Sequence, residues 1–100
     1  MPARLPIDQE RLDAFCRRHR IVRLSLFGSV LAGTAGPDSD IDLLVEFEPG
    51  AEPGMLALAS TETELSKLLR GRRVDLRTAR DLSRHFRDEV VRSAEVQYAR

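Results

Sequence analysis

The residues of this 100-residue chain best suited to chemistry are two aspartates separated by one residue. Asp40 and Asp42 open an apolar run over residues 41–45 that has the composition of a largely buried β-strand. Successive side chains of a strand point to opposite faces, so the two carboxylates share one face at a spacing of roughly 6 to 7 Å. Two bare carboxylates this close repel each other, and a hard divalent cation with oxygen ligands removes that repulsion. The pair therefore predicts a site for divalent cations, and Mg²⁺ is the ion that fits best.

A Gly-Ser pair separated from Asp40 by ten residues predicts a phosphate-binding turn. The segment before it, residues 24–27, has the pattern of a strand, so Gly28 and Ser29 would form the turn that opens a short helix over residues 30–32. Free backbone N–H groups at a helix start, with the positive end of the helix dipole behind them, bind phosphate, and Ser29 adds a hydroxyl group. The predicted phosphate and cation sites therefore lie on adjacent elements.

The elements that must position these residues follow from hydrophobic periodicity and turn residues. We expect a helix from the N-cap Asp8 to about His19, strands over 21–27, 40–47 and 73–77, a long helix over 55–70 that Gly71 ends, and a last helix over 81–94. A short helix follows the first strand. The order α, β, short α, β, α, β, α predicts an α/β (α+β) fold with a small mixed three-stranded sheet flanked by helices.

Length, cysteine content and charge restrict the class of protein. We expect residues 1–100 to form one domain that is cytoplasmic, because the N-terminus shows no signal sequence and no long apolar segment suggests a membrane partner. The one cysteine, Cys16, is expected to be a small buried hydrophobe. Residues 28–64 carry eight acids and no lysine or arginine, so direct binding of nucleic acid to that segment is not expected.

The same residues carry a family resemblance. Leu-Phe-Gly-Ser at 26–29, followed by Asp-Ser-Asp-Ile-Asp-Leu at 38–43, resembles the signature of the polymerase-beta-type nucleotidyltransferases. The similarity is greatest to their shortest members, the minimal nucleotidyltransferases (MNT) that pair with HEPN-domain toxins. Asp75, in the short apolar segment 74–76, matches the family's third carboxylate, and residues 95–99 resemble its usual ending. The resemblance covers roughly residues 5–99.

This resemblance implies a polymerase-beta-type nucleotidyltransferase fold and a Mg²⁺-dependent transfer of AMP from ATP to a hydroxyl group. It implies that Asp40, Asp42 and Asp75 are catalytic and bind two Mg²⁺ ions, with Asp75 also able to accept the proton of the hydroxyl. Gly28 and Ser29 would contact the nucleoside triphosphate. The implied acceptor is a tyrosine of a partner HEPN ribonuclease toxin, which the modification silences, so that the chain acts as an antitoxin.

The sequence departs from the family at two positions and leaves a second function open. Family members commonly carry arginines where this chain has Val30 and Ala32, so positive charge is missing near the expected phosphates. The alternative is a catalytically weak or inactive antitoxin that neutralises its partner by binding alone. The oligomeric state is also left open.

Other residues keep alternative readings. Asp40 is alternatively a capping or turn acid, and Asp75, on a short strand between two arginines, is alternatively a cross-strand ion-pair partner. His19 and His85 are expected to be solvated helix residues. These alternatives make the strand register and the partner of each carboxylate the features to establish.

Overall fold

The computed structural model of the protein describes residues 5, 7–27, 40–78, 88, 92 and 94–100. Within these residues it contains two helices and four strands, in an α/β arrangement as predicted. In chain order they are α1 (Gln9–Arg18), β1 (Ile21–Phe27), β2 (Ile41–Phe47), α2 (Met55–Leu68), β3 (Val74–Arg77) and β4 (Glu95–Ala99).

The strands form one mixed sheet in the order β3-β2-β1-β4. β1 pairs antiparallel with both β2 and β4, whereas β2 and β3 run parallel, as the intervening α2 allows. The predicted number of three strands is wrong, because residues 95–99 pair with β1 as a fourth strand. The mixed character of the sheet and its three predicted strands are confirmed, with bounds that differ by no more than one residue.

One face of the sheet carries the apolar core, against which α1 and α2 pack. Leu12, Phe15 and Cys16 of α1 are buried, and Leu65 of α2 and the residue that follows this helix, Leu69, are fully buried. The largest fully enclosed side chains of the sheet are Ile21, Leu24, Leu26, Ile41, Leu43 and Val45. Cys16 is buried as predicted, and its burial, followed by the charge of Asp13, raises the pKa of its thiol to about 12. The thiol therefore stays protonated, which excludes it as a nucleophile at neutral pH.

Gly71 terminates the long helix, as its sequence position predicted, although α2 ends at Leu68 and not at residue 70. Arg70 and Gly71 both adopt positive φ, at 61° and 81°. The Gly71 N–H donates to the carbonyl of Ser66 at 2.8 Å, which satisfies one of the last helix carbonyls. This turn brings the chain directly from α2 into β3.

His19 connects the end of α1 to α2, so the expectation that it is solvated is wrong. Its side chain is half-buried and forms a hydrogen bond with Glu64, whose other oxygen lies 2.9 Å from Arg18 Nη2. Burial of Glu64 favours the protonated acid, but the hydrogen bonds from His19 and Arg18 outweigh it and lower the pKa of Glu64. The carboxylate thus holds the two helices together across 45 residues of sequence.

Several predicted elements fall outside the described residues. These are the short helix over 30–32 and most of the last helix over 81–94, including His85. Within that last helix, Asp88 and Arg92 are described, and both are helical. In the part of the chain that the structure describes, no helix has the length and apolar character needed to cross a membrane.

Candidate functional site

The parallel pairing of β2 with β3 sets two of the predicted carboxylates side by side. Asp42 and Asp75 are direct Cα partners in this ladder, and both are half-buried. Directly paired residues of neighbouring strands share a face of the sheet, so both side chains project on the face opposite the core. Asp40 is exposed and lies just before Ile41, whose N–H donates to the carbonyl of Arg73 at 2.8 Å. Alternation along the strand assigns Asp40 to the same face as Asp42.

An open cleft of about 410 Å³ lies beside these carboxylates, between α2 and β3. Acidic, hydroxyl and guanidinium groups all contribute to it, so the cleft is suited to a polar ligand. Asp42 is outside its lining. The residues that line it are Asp40, Glu62, Thr63, Ser66, Arg73, Val74 and Asp75.

Arg77 binds the carboxylate of Asp75. Its Nε lies 3.2 Å from Oδ1 and 3.3 Å from Oδ2, and its Nη2 lies 3.2 Å from Oδ2. The two residues are two positions apart on one strand, so the ion pair runs along β3 and not across strands as the alternative reading supposed. The pair is about half exposed, and pairs of this kind contribute only about 0.2–1 kcal/mol. Arg77 therefore orients the carboxylate of Asp75, and the ion pair is weak enough for a ligand to replace it.

The donor set has the chemistry that Mg²⁺ prefers, since hard cations bind carboxylate oxygens. Among residues 7–27, 40–78 and the other described positions, no three His, Cys, Asp or Glu side chains converge closely enough to hold a metal ion. The structure therefore brings two of the three predicted ligands, Asp42 and Asp75, to paired positions on neighbouring strands, and it places Asp40 just before the start of β2.

The predicted phosphate contacts fall outside the described residues. Gly28 and Ser29 belong to residues 28–39, which the structure does not describe, as do Val30 and Ala32. The structure does describe the preceding residue, Phe27, which ends β1 and is the Cα partner of Asp42. Asp42 consequently has Phe27 on one side and Asp75 on the other.

Sequence reasoning did not identify the polar residues that α2 contributes to the cleft. Glu62, Thr63 and Ser66 recur at helical spacing on one side of α2, a pattern that a solvated helix surface also shows. Glu62 Oε2 accepts the backbone N–H of Leu76 at 2.9 Å, so this acid fixes α2 to the outer edge of β3. Arg73 was noted only as a neighbour of Asp75. No signal in the sequence separates it from the other surface arginines.

Comparison with known proteins agrees with this architecture. Residues 9–98 match the family described as "Nucleotidyltransferase domain". The chain is 34% identical over 77 residues to the "Putative protein adenylyltransferase MJ0435" of Methanocaldococcus jannaschii, which covers 77% of this chain and 80% of that protein.

Solved structures share the fold. A "Structure of putative minimal nucleotidyltransferase" is 43% identical with a TM-score of 0.69, and the match covers 86% of this chain and 85% of the other. A toxin-antitoxin structure with AMP-PNP has a TM-score of 0.73 at 23% identity, covering 94% of this chain and 75% of that one. The family match extends over nine-tenths of the sequence and includes all three predicted carboxylates. This chain belongs to the nucleotidyltransferase domain family.

Proposed function

We propose that this protein transfers AMP from ATP to a tyrosine hydroxyl of a HEPN-domain toxin of the HepT kind, and that it thereby acts as the antitoxin. The curated relative MJ0435 is named a protein adenylyltransferase, as is MntA of Thermococcus cleftensis, which is 42% identical over 59 residues. Structures of the same fold are toxin-antitoxin complexes, one of them with the ATP analogue AMP-PNP. The proposal extends these descriptions to the present chain.

The observation that carries the proposal is the direct pairing of Asp42 with Asp75 beside an open polar cleft. Nucleotidyl transfer requires negative charge to be neutralised where a phosphate is attacked, and it requires an acceptor hydroxyl to reach that point. The paired carboxylates supply ligands for the first requirement. The cleft, in which Asp75 and Asp40 are exposed to a ligand, supplies room for the second.

The reaction forms a bond between the acceptor oxygen and the α-phosphorus of ATP and breaks the bond from that phosphorus to pyrophosphate. Asp40, Asp42 and Asp75 would hold Mg²⁺, which when bound neutralises charge on the triphosphate and on the departing pyrophosphate. Asp75 would also accept the hydroxyl proton, because it is the carboxylate that both pairs with Asp42 and lines the cleft. Gly28 and Ser29 remain the predicted contacts for the phosphates.

The test is the intact mass of the HEPN-domain protein encoded beside this chain, after incubation with the chain and MgATP. We expect a gain of one or more AMP units, about 329 Da each, that EDTA abolishes. The Asp40→Asn/Asp42→Asn double variant removes two of the three carboxylates while keeping the shape of each side chain. It should lose the transfer and retain the complex with the partner.

Glu46→Gln is the matched control, because Glu46 is an exposed acid on the same strand that forms a 3.8 Å ion pair with Arg23 and does not line the cleft. It should transfer AMP like the unmodified chain. The absence of any mass gain, together with a stable complex and full neutralisation of the toxin, would reject the enzyme. That result would favour the binding antitoxin to which the missing arginines at positions 30 and 32 point.

A further inference from the structure

The cleft between α2 and β3 lies on one particular side of the carboxylates. In the sheet order, β3 is at the edge and β1 is on the other side of β2. Asp42 is flanked by Asp75 toward the cleft and by Phe27 away from it. Gly28 and Ser29, the predicted triphosphate contacts, directly follow Phe27 in the sequence. We therefore expect the donor phosphates on the Phe27 side of Asp42, opposite the cleft.

Arg73 is the one basic residue among the described residues that line this cleft. It is exposed, and its side chain makes no ion pair or hydrogen bond with any residue in the described part of the chain. The other nearby guanidinium, that of Arg77, is bound to Asp75. An arginine that lines a cleft without an internal partner is available to a ligand.

The hydroxyl groups of α2 in the cleft have their protons engaged inside the chain. Thr63 Oγ1 donates to the carbonyl of Ala59 at 3.0 Å, and Ser66 Oγ donates to the carbonyl of Arg72 at 2.5 Å. Each oxygen retains capacity to accept a hydrogen bond, so these groups suit N–H donors of a bound polypeptide. The acids Asp40, Glu62 and Asp75 surround the same space and disfavour an anionic ligand.

These observations together specify a ligand that is neutral, carries N–H donors and offers a group that a guanidinium recognises. A tyrosine within a polypeptide meets all three conditions, because a guanidinium stacks on the face of an aromatic ring. The phosphates of ATP meet only the last condition, because a guanidinium binds phosphate but the acids of the cleft repel an anion and phosphates carry no N–H donors. We infer that the cleft between α2 and β3 is the subsite for the acceptor tyrosine, and that Arg73 binds the phenol ring there. This inference rests on the proposed function.

The test compares Arg73→Ala with Arg11→Ala, an exposed arginine of α1, the helix that packs against β1 and β4 on the side of the sheet away from β3. In steady-state AMP transfer to the HEPN-domain partner, Arg73→Ala should raise the KM for the partner about tenfold, the size expected for one cation–π contact. The Kd for Mg²⁺-AMP-PNP should change by less than about twofold, which is well below the tenfold effect expected for the lost cation–π contact. Arg73→Lys should recover part of the loss, and Arg11→Ala should match the unmodified chain.

A second variant tests whether the acceptor needs the open volume of the cleft, independently of the charge of Arg73. Thr63→Phe fills the cleft from an exposed position of α2, so it should abolish transfer while Mg²⁺-AMP-PNP still binds and the thermal unfolding midpoint is kept. An Arg73→Ala variant that weakens nucleotide binding as much as partner binding would place Arg73 on the donor side and overturn the inference. Equal KM values for Arg73→Ala and Arg11→Ala would also overturn it.

Failure of the proposed function gives a different result. If the unmodified chain transfers no AMP yet forms the complex, the Kd of that complex replaces the KM. A roughly tenfold weaker complex for Arg73→Ala then still supports a polypeptide in the cleft. An unchanged Kd rejects it independently of the chemistry.

Discussion

Leu65 anchors the helix that forms one wall of the cleft, and its truncation should be costly. Its side chain is fully buried, at 0% exposure, within the core between α2 and the sheet. Leu65→Ala removes roughly two to three buried methylene equivalents at about 0.8 kcal/mol each and leaves a cavity. The combined loss expected is about 2–5 kcal/mol, a large part of the 5–15 kcal/mol that a domain of this size typically has.

Leu56→Ala provides a control with the same chemical change on the same helix. Leu56 is 89% exposed, so its truncation removes almost no buried surface, and alanine is slightly the better helix former. We expect the stability of this variant to stay within about 0.5 kcal/mol of the unmodified chain.

The assay is urea unfolding followed by far-ultraviolet circular dichroism, with the slope of the transition compared among the three proteins. A loss below about 1 kcal/mol for Leu65→Ala would refute the reasoning, because the side chain could not then be enclosed as described. Equal losses for Leu65→Ala and Leu56→Ala would refute the assigned orientation of α2.

Three further outcomes are expected. Because hydrogen bonding to His19 and a neighbouring arginine lowers the pKa of Glu64, its contribution to stability is present above the unfolded pKa and lost as pH falls through the folded one. Glu64→Gln should therefore flatten the acid side of urea midpoints measured from pH 7 to pH 3, and an unchanged slope would contradict the link. Cys16, with a pKa of about 12, should resist a thiol reagent at pH 8 until urea unfolds the chain, whereas rapid labelling of native protein would show that it is accessible. Gly71→Ala, at a φ of 81°, should lower stability by about 1 kcal/mol in thermal unfolding, while Gly71→Asn should lower it less, because asparagine adopts positive φ more readily; equal effects would exclude backbone strain as the cause.

The local part of the architecture was accessible from sequence. β1 was predicted with its observed bounds, because residues 21–27 are strongly apolar and lie between helix-ending and turn residues. β4 was missed since Val96 and Tyr98 are its only large apolar residues and its pairing partner lies about 70 residues earlier. His19 was misread for the same reason, as Glu64 is 45 positions away.

The candidate site divides in the same way. Strand alternation placed Asp40 and Asp42 on one face, and the resemblance supplied Asp75. The register that makes Asp42 the partner of Asp75 depends on how α2 returns the chain to the sheet, which no spacing encodes. Arg73 and the polar residues of α2 could not be assigned to a site from the sequence, because the cleft that they line forms only in that strand register.

The hydrogen bond from Leu76 N–H to Glu62 has a consequence for self-association. β3 is an edge strand, and unpaired N–H groups on such an edge act as templates on which another chain can build a cross-β ladder. Glu62 occupies one of these groups with a negative charge, and β3 is only four residues long. A second strand would have to displace that carboxylate for very few new backbone bonds. This edge of the sheet is therefore protected against aggregation through strand addition.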